Sequence, residues 1–318
     1  MHRTPTADPD RIGRLSNLST AHFTRFARTH DSADLDEAVT AGRAAVAGMP
    51  DRFAERAAVL SNLSLVLRTR FERDPAIVDI NEAVDLARTA VAVTAEQNPD
   101  RPRYQVILGT ALSVRADHLD SLVDAEEAVD VGRSAVAASH PASPELAGRL
   151  YNLAEAMLTR LRRTSGSANQ AEVAELYRRA AEAAAAPTLV RTTSAWRWAT
   201  ILADASDWAK AVSASHLAVQ LLARSSSRHL GRTDQEYMLA RLGGVGTDAA
   251  ACCLNVDRVD AATQLCEQGR GILLGQALDD RSALRSLEGL VPALAARFQY
   301  VSDELARLRT PGRHAHRS

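Results

Sequence analysis

The chain has 318 residues, of which 38 are Lys or Arg and 39 are Asp or Glu, so its formal net charge at neutral pH is -1. That balance gives no electrostatic reason to expect nucleic acid or an anionic membrane as a partner, and no stretch approaches the roughly 18 uninterrupted apolar residues of a membrane-spanning helix. Hydrophobic residues make up 46% of the chain but aromatic ones only 4%, which implies a core of alanine and leucine suited to closely packed helices.

The first segment, Met1 to Arg11, is polar, carries two prolines and lacks the apolar core of a secretion signal. Residues 1–10 are expected to be disordered. Cys252, Cys253 and Cys266 are too few and too clustered for a disulfide framework. A reducing, cytoplasmic setting fits them best.

From residue 11 onward the chain repeats itself. Leu18, Leu63, Leu108 and Leu153 are each 45 residues apart. The same spacing recurs in Arg25, Arg70, Arg115 and Arg160, in Arg43, Arg88, Arg133 and Arg178, and in Ala45, Ala90, Ala135 and Ala180. Within each unit apolar residues fall at helical spacing, as in Leu60, Leu63 and Leu67 or Ile107, Leu108 and Leu112, with Leu15, Leu18 and His22 in the first unit. Each set predicts the inner face of a first helix. Second helices follow through Leu35–Val46 and Ile80–Val91. The units break at Met49-Pro50-Asp51, Asn98-Pro99-Asp100 and His140-Pro141-Ala142-Ser143-Pro144, where proline cannot continue a helix and Asp or Ser can cap the next one.

The small residues of these hairpins resemble the tetratricopeptide repeat, a shorter helix pair with small side chains at its eighth, twentieth and twenty-seventh positions. Ser19, Ser64, Gly109 and Ala154 match the eighth. Ala38, Ala83 and Ala128 match the twentieth, with Val173 as a larger exception, and the Ala45 column matches the twenty-seventh. The extra residues correspond to whole helical turns, which lengthen helices without rotating their packed faces. Trp198, followed by Ala199, Leu202, Asp207, Trp208, Ala211 and Ala218, has the undecorated spacing of a fifth hairpin. A weaker sixth runs through Ala249, Cys252, Asp257, Ala261 and Leu265, after a polar stretch from Arg224 to His229 that reads as a loop. The expected fold is all-α, a right-handed α-solenoid of about six tetratricopeptide-like hairpins, with the array at 11–225 and a C-terminal hairpin with long helices at 230–309.

Farther along, Cys266-Glu267-Gln268-Gly269-Arg270-Gly271-Ile272-Leu273-Leu274 and its continuation to Leu278, then Val291 to Phe298, look like the segment that precedes the peptidase in CHAT proteins. In that family a tetratricopeptide array is followed by a caspase-like domain with a histidine and cysteine pair. The resemblance implies a long helix near Gln264 to Asp280, a closing helix near Pro292 to Leu308, and a chain ending at Ser318 close to where the peptidase would begin. No catalytic residue is carried over. The three cysteines fall in helical patterns and read as core residues.

Two further motifs take plain readings. His314-Ala315-His316 lies in a tail, 310–318, with no third ligand after it, and reads as disordered rather than as a metal site. Gly243-Gly244-Val245-Gly246 lacks the Gly-Lys-Ser/Thr of a phosphate loop and reads as a helix break. No cofactor is expected. The Arg88 column follows acids three residues earlier, Asp85, Asp130 and Glu175, so pairing along the second helix explains it. The Arg25 column also reads as structural.

By analogy with the tetratricopeptide fold, the concave groove is lined from the first helices by Ser16, Thr20 and Phe23, by Ser61, Leu65 and Arg68, by Thr110 and Ser113, and by Gly148, Tyr151, Glu155 and Leu158. The expected function is a non-catalytic scaffold that binds a peptide or protein partner there, as the sensing or recruiting part of a CHAT-type system. The alternatives are a truncated regulatory region of a CHAT cysteine endopeptidase and a small-ligand sensor. Leu294, Phe298, Val301 and Leu305 would leave an apolar face on the closing helix, which suggests self-association.

Overall fold

The computed structural model describes residues 9–50, 52–164, 170–225, 242–269, 291–294, 296–297 and 300–301. The described residues are helical without a strand, and the chain divides into two compact units, Met1–Ala214 and Ser215–Ser318.

In the first unit α1 (Pro9–Thr29) pairs with α2 (Ser32–Ala47), α3 (Arg56–Arg73) with α4 (Ile77–Ala92), and α5 (Arg101–Leu119) with α6 (Leu122–Ala137). The helices α7 (Leu146–Leu161) and α8 (Gln170–Glu182) form the fourth hairpin, and α9 (Thr188–Asp204) is followed by α10 (Trp208–Ser225), within which the first unit ends at Ala214. The 45-residue spacing therefore is a stack of helical hairpins, as expected. α10 runs through Arg224 and Ser225, the start of the expected polar loop, and residues 226–229 lie outside the described set.

The small columns are what let the helices touch. Ala38, Ala83, Ala128 and Val173 are fully buried, as are Ala45, Ala90, Ala135 and Ala180. Ser19 and Ser64 donate hydrogen bonds of 2.7 Å to the carbonyl oxygens of Ala38 and Ala83, so the eighth and twentieth positions meet within each hairpin. Between hairpins, the periodic leucine packs on the preceding second helix. A Cβ built at Gly42 would lie 2.8 Å from Leu63 Cδ1, and one at Gly132 would lie 3.1 Å from Leu153 Cδ1.

That contact explains the one leucine that departs from expectation. Leu63, Leu108 and Leu153 are 1%, 2% and 4% exposed, whereas Leu18 is 47% exposed. The column serves the joint with the preceding hairpin, and no described helix precedes α1. At equivalent positions of its outer side α1 carries the exposed Arg14 and Ala21 where α3 buries Val59 and Val66.

Helix ends also depart from the sequence reading. Asp100 and Glu145 precede α5 and α7 without a side-chain cap, and Asn98 and Ser143 instead accept from Asp100 N–H and Glu145 N–H inside the connecting turns. Side-chain caps stand at the second helices: Asp31 accepts from Ala33 N–H at 3.0 Å and Ser121 from Asp124 N–H at 3.2 Å. Arginines opening first helices serve the opposite ends, since Arg101 donates to the Val91 carbonyl and Arg191 to Ala181, while Arg56 donates to Pro50 in the connecting turn. Positive charge at a second helix's C-terminus suits both its free carbonyls and its dipole.

The second unit holds α11 (Val245–Leu254) and α12 (residues 259–269). Gly246 faces Gly269 so closely that a Cβ on either would come within 2.9 Å of the other's Cα. Gly244 precedes α11, so the glycine cluster marks a helix start and a close packing point. Cys252 and Cys253 are buried, and burial pushes the Cys253 thiol up, away from the thiolate that a nucleophile needs. Most of the expected long helix beyond residue 269 lies outside the described residues. In the closing helix Leu294 and Val301 are about half exposed, at 54% and 48%, and Phe298 and Leu305 lie outside the described side chains.

Candidate functional site on the first-helix face

Successive first helices pack directly on each other, α1 on α3, α3 on α5, α5 on α7 and α7 on α9, while successive second helices do not pack to that extent. The first helices thus form the inner row of the first unit. Two arginine columns tie the hairpins of this unit together, one within each hairpin and one from hairpin to hairpin.

Arg25, Arg70 and Arg115, near the ends of first helices, reach the buried Asp34, Asp79 and Asp124 at the starts of second helices. The Nε donors lie 2.6, 2.6 and 2.8 Å from the carboxylates, and the aspartates are 2%, 4% and 7% exposed. Each pair clamps its hairpin at the turn with a forked, charge-assisted contact. The Arg25 guanidinium, with help from His22, holds the Asp34 carboxyl below its usual range. The stability this gives is present above the ordinary aspartate pKa and is lost as pH falls through the depressed folded value. Arg160 has Asn169 nine residues on, so the fourth hairpin lacks this clamp's acid.

The second column corrects the sequence reading. Arg43, Arg88 and Arg133 pair mainly with Glu82, Glu127 and Glu172, one hairpin farther on, rather than with acids on their own helices. Arg88 does keep Asp85 at 3.6 Å, and Arg178 pairs along its helix with Glu175 and Glu182. The change at Arg178 has a cause in sequence, because the position matching Glu172 in the fifth hairpin is Lys210, which pairs with Asp207 instead.

On the inner row, Thr20 is exposed, and Phe23, Leu65, Arg68, Thr110, Ser113, Gly148, Tyr151, Glu155 and Leu158 are partly exposed. Ser16 and Ser61 are buried, at 9% and 0%, and line no open surface. The hydroxyls of Thr20, Thr110 and Ser113 are engaged by carbonyls one turn back on their own helices, and Arg68 pairs with Glu72.

The sequence reading missed the amides beside them. Asn17, Asn62 and Asn152 share the 45-residue register, with Ile107 in the third hairpin and Arg197 in the fifth. Asn17 is exposed, Asn62 and Asn152 are partly exposed, and their side chains have no hydrogen-bond partner among the described residues. The signal was available in the same count that revealed the leucines.

At the far end of the row the fourth and fifth hairpins are joined by a polar node. Arg197 donates from Nε and Nη2 to the two Glu155 oxygens, both at 2.8 Å, and Tyr177 donates from its hydroxyl to Glu155 Oε1 at 2.6 Å. Tyr177 stands where the earlier hairpins have Gly42, Ala87 and Gly132. Its side chain is fully buried with its hydroxyl on Glu155 of α7, and burial together with the Glu155 charge pushes its phenol well up. Tyr151 packs edge-on against it, with ring centroids 5.7 Å apart.

Among the described residues no group of three or more His, Cys, Asp or Glu side chains could hold a metal, and no helix is long and apolar enough to cross a membrane. No protein-family model and no curated protein matches the chain. Among solved structures it is similar to a Podosopora anserina protein described as a kinesin light chain with nearly identical TPR-like repeats, at 20% identity over 67% of this chain and 96% of that one, with a TM-score of 0.46. BtubC (BKLC) from P. vanneervenii is similar at 14% identity over 86% of this chain and 93% of that one, with a TM-score of 0.44.

Proposed function

We propose that the chain is a protein-interaction scaffold whose first-helix row takes an extended peptide segment of a partner protein. The observation that carries this is the column of unpartnered amides, Asn17, Asn62 and Asn152. A carboxamide both donates and accepts, which is the pairing a peptide backbone presents. Helices packed about 8–10 Å apart would set successive positions of this column roughly three residues of an extended ligand apart, with Ile107 interrupting the amides between Asn62 and Asn152.

The neighbouring hydroxyls support the reading by contrast, since they are already engaged by their own helices and the asparagines are not. The Cys266 to Leu278 resemblance favours a CHAT-type system as the setting, with this chain as its sensing or recruiting part.

The test is crosslinking capture from the native host with the full chain and with Asn62→Ala/Asn152→Ala. A partner recovered by the parent and lost by the variant, at unchanged helical content and melting temperature, is the expected result. A partner captured equally by both would sink the groove reading, and recovery of a caspase-like CHAT protein would bear on the setting.

A further inference from the structure

A second surface lies away from the inner row, at the turn edge of the second and third hairpins. Ile77 and Val78 open α4 and are 38% and 66% exposed, and Leu122 and Val123 open α6 and are 37% and 72% exposed. Leu119, at the end of α5 between them, is 51% exposed.

These residues form one patch. The Arg115 guanidinium contacts Asn81 at 3.3 Å and Asp124 at 2.7 Å, so it ties the N-terminal part of α4 to the first turn of α6. Val78 lies one turn before Asn81, and Val123 is next to Asp124. Phe71 and His118, with ring centroids 4.9 Å apart, hold the ends of α3 and α5 together, one residue before Leu119.

The fold supplies its own control for whether these apolar side chains are needed. In the first hairpin the positions of Ile77-Val78 and Leu122-Val123 are Ser32-Ala33, and that hairpin closes with the same arginine-aspartate clamp and a helix of the same length. Exposed valine and leucine here are therefore not a requirement of the hairpin. Contiguous exposed apolar surface of this kind marks an interaction site.

The rim sets the occupant. Asp74, Asp120 and Glu126 border the patch and are exposed, Asp120 to 90% of its side chain even with Arg163 3.3 Å away. The nearby Arg70 and Arg115 are already committed to Asp79 and Asp124. We propose that this patch docks a basic segment of another protein, one with two apolar side chains to cover Val78 and Val123 and flanking Lys or Arg for the acidic rim. A second copy of this chain fits poorly, because its patch would bring acid against acid.

The test uses the full chain and fluorescein-labelled peptides carrying two leucines three, four or seven positions apart between paired lysines, with glutamate-flanked twins. The control variant installs the first hairpin's own residues: Ile77→Ser, Val78→Ala, Leu122→Ser and Val123→Ala. By fluorescence anisotropy, at least one lysine-flanked peptide is expected to bind the parent. The variant should bind it at least about fivefold more weakly, and the glutamate twin should not bind. The Asn62→Ala/Asn152→Ala chain should bind it like the parent, which separates this surface from the inner row. Equal binding by parent and variant, equal binding of the twins, or no binding by any peptide would overturn the proposal. So would a parent that sediments as a dimer which the variant makes monomeric.

Discussion

At Gly109 the array shows how much one side chain contributes to a joint. Its counterparts Ser19 and Ser64 each donate to a carbonyl across the hairpin, and Gly109 leaves the matching Ala128 carbonyl without that donor. A Cβ there would meet Val131 Cγ2 at 3.3 Å and the Ala128 oxygen at 3.4 Å, contacts that a few tenths of an ångström of adjustment relieve. Gly109→Ser should therefore stabilise the chain by about 1 kcal/mol, from helix propensity and the regained hydrogen bond. Urea unfolding checks this, and a loss of stability would mean that Val131 cannot give way. Such a residue is legible in sequence as small, but whether glycine is required depends on what stands opposite. At Gly42 the neighbour is Leu63 Cδ1 at 2.8 Å, a tighter fit than at Gly109.

Helices in this chain are specified mostly by what lies one hairpin away. The predicted caps at Asp100 and Ser143 do not cap: inside the connecting turns Asn98 accepts from the Asp100 N–H and the Ser143 hydroxyl is engaged by Glu145, whereas arginines opening α5 and α9 reach back to the ends of the preceding second helices. Left-handed residues at His30, Asp120, Ser206 and Asp257 end four first helices without glycine. In the second unit glycine matters instead where helices meet, at the contact of α11 with α12. Gly246→Ala would push a methyl to 2.9 Å from the Gly269 Cα, where backbone rather than a flexible side chain must move. The expected cost is about 1–3 kcal/mol, read as earlier urea unfolding or faster amide exchange in residues 245–269. Exchange unchanged from the parent would show that the helices can separate at no cost.

Across the first unit, successive hairpins are joined on the inside by packed first helices and on the outside by the Arg43–Glu82, Arg88–Glu127 and Arg133–Glu172 pairs. Arg88 and Glu127 are 45% and 33% exposed, so water screens them and the pair contributes about 0.2–1 kcal/mol. Arg88→Glu alone should lower stability by about that amount, and adding Glu127→Arg should restore it. The four-variant cycle in urea checks the coupling, and a coupling of zero would leave hairpin register to packing alone. The outer pairs stop at the fourth hairpin, where Lys210 replaces the acid, and the Glu155–Arg197–Tyr177 node joins the fourth and fifth hairpins on the inner side instead.

Periodicity by itself determined that the chain is a stack of helical hairpins, where the units begin and which small positions let helices approach. A repeat carries its own alignment, and residues 45 apart must meet equivalent surroundings. It also contained the Asn17, Asn62 and Asn152 column, which was missed because polar residues do not announce a face. Tertiary structure alone decided which acid each arginine meets, since linear spacing favours a partner three residues away over one on the next hairpin. It also decided that Leu18 is left open while its repeats are buried. Equivalence along the chain breaks at α1, because the later repeats bury this leucine against a preceding second helix and no described helix precedes α1.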